Sequence, residues 1–341
     1  EEGSAVQFRL GYASPEIRGS FTHPALGEFD SGDIAKDFFV PSLAYKKALT
    51  EKLDFALMYD QPFGADVEYS KDYFLSLHGG DRKDVLRADA DLNAITALLR
   101  YKFEGGFSAL GGIRAQSAKA DIGVPVVAGY QTKTDTDVSL GYVVGVAWEK
   151  PEIAARVSLT YNSKIKHNWT QTESVNPADD LFDDKKTKSE IITPQSVNLD
   201  FQTGVAPKTR LFGSIRWVDW PQLVYNPPNY PPTSNLVDYA DSTFTYSLGM
   251  GYQFSEEFSG AVTLGYETSQ GTPVSNLGPT DGFWSIGLGG TYSLENAKIS
   301  GGVRYTDIGD ATSNGAGPNA RGTFTGNSAW SVGFQITYAL N

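Results

Sequence analysis

Few residues of this chain have types and spacings that could carry out chemistry. Its 341 residues include three histidines, His23, His78 and His167, and no cysteine. A histidine acts as a general base when an acid orients it, and covalent catalysis also needs a nucleophile within hydrogen-bonding reach. His78, near Asp81 and Asp84, is the best candidate, and nothing beyond proximity supports a catalytic role. We therefore predict that the protein is not an enzyme and has no catalytic residue.

One strand-like segment is interrupted by the stretch Y-D-Q-P-F-G-A-D, residues Tyr59–Asp66. Proline has no N–H to donate to a sheet, and glycine permits backbone distortion. Two interpretations follow: the strand ends here and a loop begins, or a wall strand is kinked and leaves an opening beside it. The residues that would form such a kink are Asp60, Gln61, Pro62, Phe63, Gly64 and Ala65.

Candidate ligand contacts are aromatic and basic residues near the predicted long connections. Small-molecule sites need an apolar lining with a few polar anchors, and lysines attract carboxylate groups. Lys164 and Lys166 continue the alternation that begins at Arg156, so all three are predicted to face inward. The competing interpretations are solvated lysines, lysines bound to lipopolysaccharide phosphates, and aromatic residues that fill loop cores. The candidate ligand-binding residues are Tyr130, Arg156, Lys164, Lys166, Trp169 and Trp220.

Acidic residues are concentrated at Asp179, Asp180, Asp183 and Asp184. A hard cation such as calcium prefers carboxylate oxygens, but this cluster lacks an ordered ligand spacing with a turn glycine. A solvated acidic loop is the better interpretation, and we predict no metal and no cofactor. The net charge of −12 argues against a nucleic-acid partner.

The elements that must position these residues are strands. In the segment Ser328–Asn341, Trp330, Val332 and Phe334 alternate with small or polar residues. Alternation with a period of two is typical of a strand, because successive side chains point to opposite faces. The apolar face would meet a core in a soluble sheet, whereas in an outer-membrane barrel it would meet lipid.

The same alternation recurs about fourteen times, and no run approaches the 18 or so apolar residues of a membrane helix. Short connections such as Thr50-Glu51-Lys52 alternate with long ones at Ala118–Asp137, Thr170–Ile192 and Trp220–Ser242. Many apolar faces end in an aromatic residue beside a turn, and the polar faces carry charges such as Arg114, Asp200 and Arg216. We predict an all-β, transmembrane antiparallel β-barrel of about 14 strands, one domain over residues 1–341, with short periplasmic turns and long extracellular loops. A soluble all-β protein is the alternative.

Several stretches, in order along the chain, resemble the FadL family of outer-membrane channels for long-chain fatty acids and other hydrophobic compounds. They are F-F-V-P-S-L-A-Y-K-K-A-L-T-E-K-L-D-F-A-L at Phe38–Leu57, L-N-A-I-T-A-L-L-R-Y-K-F at Leu92–Phe103, Arg156–Trp169, Ser196–Trp220 and the closing F-Q-I-T-Y-A-L. The resemblance implies fourteen strands, a Gram-negative outer-membrane location and lateral release of substrate through a kinked third strand. It also implies a hydrophobic substrate such as a fatty acid, contact with outer-membrane lipid and lipopolysaccharide, and a monomer.

The sequence departs from the family in its N-terminal region. Members normally begin with a plug of the lumen, the hatch, that carries an Asn-Pro-Ala motif, whereas here the first strand is expected from about Ala5. The only such tripeptide is Asn176-Pro177-Ala178, in the acidic loop, so the hatch role is not transferred to it. Two other functions stay open: a general diffusion porin for hydrophilic solutes, and a barrel for adhesion or phage reception.

Overall fold

The computed structural model describes residues 3–77, 84–175, 182–231, 235–271, 273–313 and 321–340. The histidine His78, the tripeptide Asn176-Pro177-Ala178 and the carboxylates Asp179 and Asp180 lie outside the described residues. Within the described ranges no helix is long and apolar enough to cross a membrane.

Strands dominate the chain, as the period-two patterning predicts. The strands are β1 (Ser4–Glu16), β2 (Arg18–His23), β3 (Gly27–Asp33), β4 (Phe38–Ala48), β5 (Leu53–Asp60), β6 (Gly64–Glu68), β7 (Arg87–Lys102), β8 (Phe107–Val124), β9 (Tyr130–Thr134), β10 (Asp137–Lys150), β11 (Ala155–Asn162), β12 (Ile165–Val175), β13 (Phe182–Thr193), β14 (Ser196–Ala206), β15 (Thr209–Val218), β16 (Thr243–Gln253), β17 (Phe258–Glu267), β18 (Phe283–Ser293), β19 (Ala297–Ile308), β20 (Ala311–Ser313), β21 (Arg321–Phe324) and β22 (Asn327–Leu340). Short 3-10 turns lie at Phe74–Ser76, Glu104–Gly106, Pro151–Ile153 and Trp220–Gln222.

Fourteen of these strands close into an antiparallel barrel. Around the wall their order is β1, β4, β5, β7, β8, β10, β11, β14, β15, β16, β17, β18, β19 and β22. The ring closes because β22 pairs with β1 from Ser4↔Leu340 to Glu16↔Ser328. The predicted fold class is therefore confirmed.

The outer surface of the wall is apolar. Ile113, Leu140, Leu264 and Leu288 each expose more than half of their side-chain surface, which a soluble protein rarely does over a continuous band. Exposed aromatic residues flank this band at both ends. The short-turn end carries Tyr101, Phe103, Phe107, Tyr252, Phe254, Phe258, Tyr292 and Tyr338, and the other end carries Phe38, Phe39, Tyr142, Phe244, Trp284 and Trp330. An apolar band between two aromatic girdles is the outer surface of a transmembrane barrel.

The lumen side of the wall combines polar residues, charged pairs and small residues. Lys102 Nζ lies 3.0 Å from Asp54 Oδ2, and Arg100 Nη2 lies 2.9 Å from Glu149 Oε2. Gly249 leaves room for the ring of Phe212, which would lie 2.4 Å from a Cβ atom at that position. The two ion pairs, Lys102–Asp54 and Arg100–Glu149, neutralise charge that would otherwise be costly to hold inside a barrel wall.

The long connections carry more regular structure than the sequence predicts. Ala118–Asp137 and Thr170–Ile192 were expected as loops, but the outer part of β8, β9 and the β12–β13 pair fall within them. The strands β2, β3, β20 and β21 form a separate four-stranded sheet at the same end. A buried cluster of apolar and aromatic residues, including Phe21, Tyr73, Tyr130 and Phe324, packs these pieces together.

Adjacent residues of β15 provide a test of which face meets lipid. Ile215 belongs to the outward set, whereas Ser214 faces the lumen and is paired with Asp200. Ile215→Arg should lower the free energy of unfolding by about 2–4 kcal/mol, because an arginine near the middle of the wall would face hydrocarbon. Ser214→Arg should cost much less. Urea titration of both variants folded into lipid vesicles measures the difference, and equal losses would contradict this assignment of faces.

Candidate functional site

The wall strand that contains the predicted kink carries one extra residue. Asp60 pairs with Ala94, and Gly64 pairs with Asp91. Three residues, 61–63, therefore oppose two residues of β7, 92–93, which is a β-bulge. The two sides of the bulge have opposite alternation: Leu57 is exposed before it, whereas Asp66 and Glu68 are exposed after it. The strand is thus interrupted and resumed, and it does not end in a loop.

Beside the bulge the wall is incompletely paired. The last pair between β4 and β5 is Leu43↔Tyr59, and the next pairing above it is the isolated bridge Ala35↔Val67. Between these two points residues 38–42 of β4 pair with β1 but, within the described chain, with nothing on their other side. We call this region the wall gap. Pro41 lies on it, as expected of a residue that suits unpaired strand edges.

A cavity of about 350 Å³ lies in the lumen and reaches the bulge. Its lining is part apolar and part polar. The lining residues are Met58, Asp60, Pro62, Phe63, Thr96, Leu98, Leu110, Arg114, Gln116, Val143, Thr160, Asn162, Ser163, Ile165, Thr193, Pro194, Ser196, Asn198, Asp200 and Arg216. We call it the lumen cavity. A second, larger cavity of about 1260 Å³ occupies the short-turn end of the barrel and is lined by residues such as Lys46, Phe212 and Gln335.

Polar contacts hold the β5 end of the bulge. Arg114 Nη2 donates to both carboxylate oxygens of Asp60, at 2.8 and 2.7 Å. The side chains of Tyr59 and Gln61 donate to Asn93 Oδ1 at 2.7 and 3.1 Å. Charge-assisted and paired hydrogen bonds of this kind offset backbone pairing that the extra residue disrupts.

Phe63 extends from the bulge toward the opposite wall. Its ring meets Trp220 edge-on at 5.2 Å, and the Arg216 guanidinium carbon lies 5.9 Å from its centre. Trp220 in turn packs against Tyr239 at 5.1 Å and donates to Thr243 Oγ1 at 3.0 Å. Arg216 lines the lumen cavity. It makes no hydrogen bond and no ion pair with any described residue.

The predicted aromatic contacts divide into two places. Trp220 touches Phe63, beside the cavity. Tyr130 and Trp169 are instead buried in the cluster at the long-loop end, where Tyr130 Oη donates to Glu173 Oε1 at 2.8 Å and Trp169 Nε1 donates to the Ala118 carbonyl at 3.0 Å. Burial raises the pKa of the Tyr130 hydroxyl, and the hydrogen bond to Glu173 adds to that rise. These two aromatic residues therefore fill a loop core.

The predicted inward orientation of the lysines is wrong. The outward residues of β11 are odd-numbered, such as Leu159, but in β12 the exposed residues are even-numbered. The alternation therefore reverses between β11 and β12, next to Lys164, which is exposed. Lys166 turns outward, where it pairs with Glu190. Arg156 lies at the far end of the lumen beside the short turn, with its Nε 3.2 Å from Glu149 Oε1.

The predicted site omits two residues of the lumen cavity, Arg114 and Arg216, although the alternation in the sequence places both on inward faces. Arg114 and Arg216 stand on the polar faces of their strands, but alternation alone does not single out two among many inward charges. Asn93, which holds the bulge from β7, gave no signal in the sequence, because its role depends on which residues oppose Pro62.

A buried histidine lies between the lumen cavity and the outer hairpin. His167 Nδ1 lies 2.8 Å from Asp137 Oδ2, and Nε2 lies 3.0 Å from Gln116 Oε1, which also accepts from Thr193 Oγ1 at 2.8 Å. Burial lowers the pKa of the His167 imidazole, and the neighbouring Asp137 carboxylate only partly opposes this. Through these contacts His167 is a structural crosslink between β8, β10 and β12.

A closed barrel with a lipid-facing apolar band and a polar lumen defines the class of outer-membrane β-barrel channels. Within that class, the chain belongs to the outer membrane protein transport protein family (OMPP1/FadL/TodX), whose sequence profile matches residues 3–340. The protein is accordingly a Gram-negative outer-membrane barrel of a family of channels for hydrophobic compounds, and its relatives are transporters, not enzymes. The predicted family, location and lack of enzymatic activity are confirmed.

Solved structures of similar fold agree with this family. A FadL homologue from Pseudomonas aeruginosa matches with a TM-score of 0.81 and 14% identity, over 100% of this chain and 91% of that one. The toluene transporter TodX of P. putida matches with 0.68 and 12%, over 100% and 91%. The toluene transporter TbuX of Ralstonia pickettii matches with 0.65 and 11%, over 99% and 90%. At these identities the likeness concerns the fold alone. No curated protein matches the sequence.

The stability of the outer hairpin should depend on pH through His167. Its pKa is lower in the folded protein than in an unfolded segment, where it is about 6.5. Below that pH the unfolded form binds a proton that the folded form rejects, so stability is full above about pH 6.5 and is lost as the pH falls toward the folded pKa. Hydrogen exchange of β12 at several pH values, corrected for intrinsic rates, should show increasing opening below pH 6.5.

The control for this prediction is His167→Gln, which keeps a polar side chain but cannot titrate. In that variant the exchange of β12 should no longer depend on pH beyond the intrinsic effect. β16 and β17, which are far from His167 in the wall, should be unaffected in both proteins. An unchanged pH dependence in the variant would mean that another group controls the hairpin.

Proposed function

We propose that this barrel takes up an amphipathic hydrophobic molecule passively from the outside and releases it sideways into the outer leaflet. The observation that carries the proposal is the position of the wall gap directly beside the lumen cavity, with Pro62 and Phe63 between them. The predicted kink residues Asp60 to Ala65 would form one rim of the exit, and residues 38–42 of β4 would form the other.

Lateral release suits an apolar cargo because of the cost of hydration. Each methylene group transferred into water costs about 0.8 kcal/mol, so exposing a sixteen-carbon chain would cost on the order of 12 kcal/mol. A path from the lumen cavity through the wall gap into lipid avoids that exposure. The β4 rim supports such a path, because Phe38, Phe39 and Val40 are all exposed and apolar.

We propose a long-chain fatty acid as the substrate. Arg216 faces the lumen cavity without an ion pair to any described residue, and a guanidinium group can bind a carboxylate in a bidentate manner. The volume of about 350 Å³ lies in the range of small-molecule sites. A monoaromatic compound is the second candidate, since Phe63 and Trp220 offer aromatic edges and two similar structures are toluene transporters.

We also propose that the channel acts as a monomer surrounded by outer-membrane lipid. One chain supplies all fourteen strands, and pairing of β1 with β22 leaves the barrel without an edge that another subunit would have to cover.

Removing the extra residue of the bulge should block lateral release. Deleting Pro62 leaves two residues opposite residues 92–93, so β5 and β6 can pair continuously with β7 and lose the kink that borders the wall gap. Uptake of a labelled long-chain fatty acid by cells expressing the variant should fall at least about tenfold, while the barrel still inserts and stays heat-modifiable. Pro62→Val combined with Gly64→Val keeps the number of residues but restores a backbone donor and favours extended backbone, so it should act in the same direction.

The matched control is Pro207→Val, which replaces a proline in a short turn far from the wall gap. Its uptake should equal that of the unmodified protein. Normal uptake by a correctly inserted Pro62 deletion would contradict the role of the kink in release and favour a path along the barrel axis.

The carboxylate anchor has a separate test. Arg216→Gln should weaken fatty-acid uptake roughly 10- to 100-fold, as expected when a charge-assisted hydrogen bond is lost, and should leave uptake of labelled toluene unchanged. Arg304→Gln, which removes another lumen-facing arginine outside the lining of this cavity, is the matched control. An equal loss of uptake for both substrates, or no loss for either, would contradict the assignment of Arg216 to a carboxylate group.

A further inference from the structure

The reversal of alternation after β11 gives the outer hairpin a basic outer surface. In β9, β12 and β13 the exposed residues of this surface include Lys133, Lys166, Lys186 and Lys188. The opposite faces carry buried residues, such as Thr132 and Gln171, that belong to the packed interior of the long-loop end. The four lysines define what we call the lysine face. Among the described residues of the same strands, the exposed carboxylates, Asp184 and Glu190, are fewer than these lysines.

Strand register brings three of these lysines close together. Thr172 of β12 pairs with Lys133 on one side and with Lys186 on the other. Because neighbouring strands lie about 4.8 Å apart, the two lysine backbones are roughly 10 Å from each other. Lys188 stands two residues from Lys186 on the same face, about 7 Å along the strand. Flexible lysine side chains can converge over such distances.

The charge of the lysine face is only partly neutralised by the protein. Lys166 pairs with Glu190, and Lys133 has a distant contact of 3.6 Å with Asp121 while 77% of its side chain is exposed. Neither Lys186 nor Lys188 makes an ion pair with a described residue. Lys186 and Lys188 are therefore available to bind an external anion, and the largely exposed Lys133 is only loosely paired.

The height of the lysine face above the apolar band identifies the partner. Val138 is an exposed apolar residue near the top of the band, and it pairs with Ser117 of β8. Lys133 pairs with Asp121, four residues further along β8, which is about 13 Å of strand. With the usual strand tilt this places Lys133 roughly 10 Å above the band, beyond the hydrocarbon and in the polar layer of the outer leaflet.

We propose that the lysine face binds the phosphate groups of lipopolysaccharide, with Lys133, Lys186 and Lys188 as the contacting residues. Phosphates are the anions of that glycolipid layer, and lysine binds them as a strongly hydrated point charge. On the neighbouring outer surface of β6 and β7, Asp66 and Asp91 are paired with Lys36 and Lys119, so that surface offers no comparable excess of positive charge. The site is independent of the substrate path, because it faces away from the lumen.

The test uses the whole protein purified from outer membranes in mild detergent. Bound lipopolysaccharide is measured by native mass spectrometry and by titration with bisphosphorylated lipid A. The triple variant Lys133→Gln, Lys186→Gln, Lys188→Gln should bind lipid A roughly 100-fold more weakly. The matched control replaces three exposed lysines at the opposite end, Lys47, Lys52 and Lys208, with glutamine and should bind like the unmodified protein.

Three further outcomes bear on the chemistry. Dephosphorylated lipid A should bind the unmodified protein as weakly as bisphosphorylated lipid A binds the triple variant. Equal binding of the two lipids to the unmodified protein would overturn the phosphate assignment. Millimolar inorganic phosphate should not displace the lipid, whereas full displacement would indicate a site for free anions. Loss of binding on adding a chelator would show that the acidic surface acts through divalent cations, and would also overturn the proposal.

Discussion

The absence of water inside a membrane governs this structure. Every backbone N–H and C=O group in the hydrocarbon layer needs a partner within the protein, and a sheet satisfies that need only by closing on itself. The alternation of apolar and polar residues follows from the same closure, since one face of each strand meets lipid and the other meets the lumen. Any interruption of the wall must therefore be compensated by nearby polar contacts.

The wall gap is such an interruption, and its surroundings show how it is contained. Above it the Ala35↔Val67 bridge restores pairing, and Lys36 forms ion pairs with Asp66 and Glu68 beside that bridge. Below it the Asp60–Arg114 pair fixes the last residue of β5. Pro41 removes one backbone donor that would otherwise be unsatisfied. A small, bounded defect is thus compatible with a barrel whose remaining wall is continuously paired.

How far the sequence predicts this structure depends on the range of the interactions concerned. The strands follow from alternation, because the period of two is a local consequence of backbone geometry. The interruption at Pro62 was also visible, since proline acts locally. The orientation of Lys166 was not predictable by extending that alternation, because a reversal at residues 163–164 depends on how the hairpin packs. The contact between Phe63 and Trp220 joins opposite walls, and no local pattern specifies it.

The pairing of β1 with β22 has a consequence for assembly. Its register joins Ser4 to Leu340, so the contact spans nearly the whole chain and cannot form before the last strand is made. Until then β1 is paired with β4 on one side only, and the growing sheet has two open edges that could pair with other chains. Contacts of such long range are slow to form. The nascent chain therefore needs protection from such pairing until β22 closes the barrel.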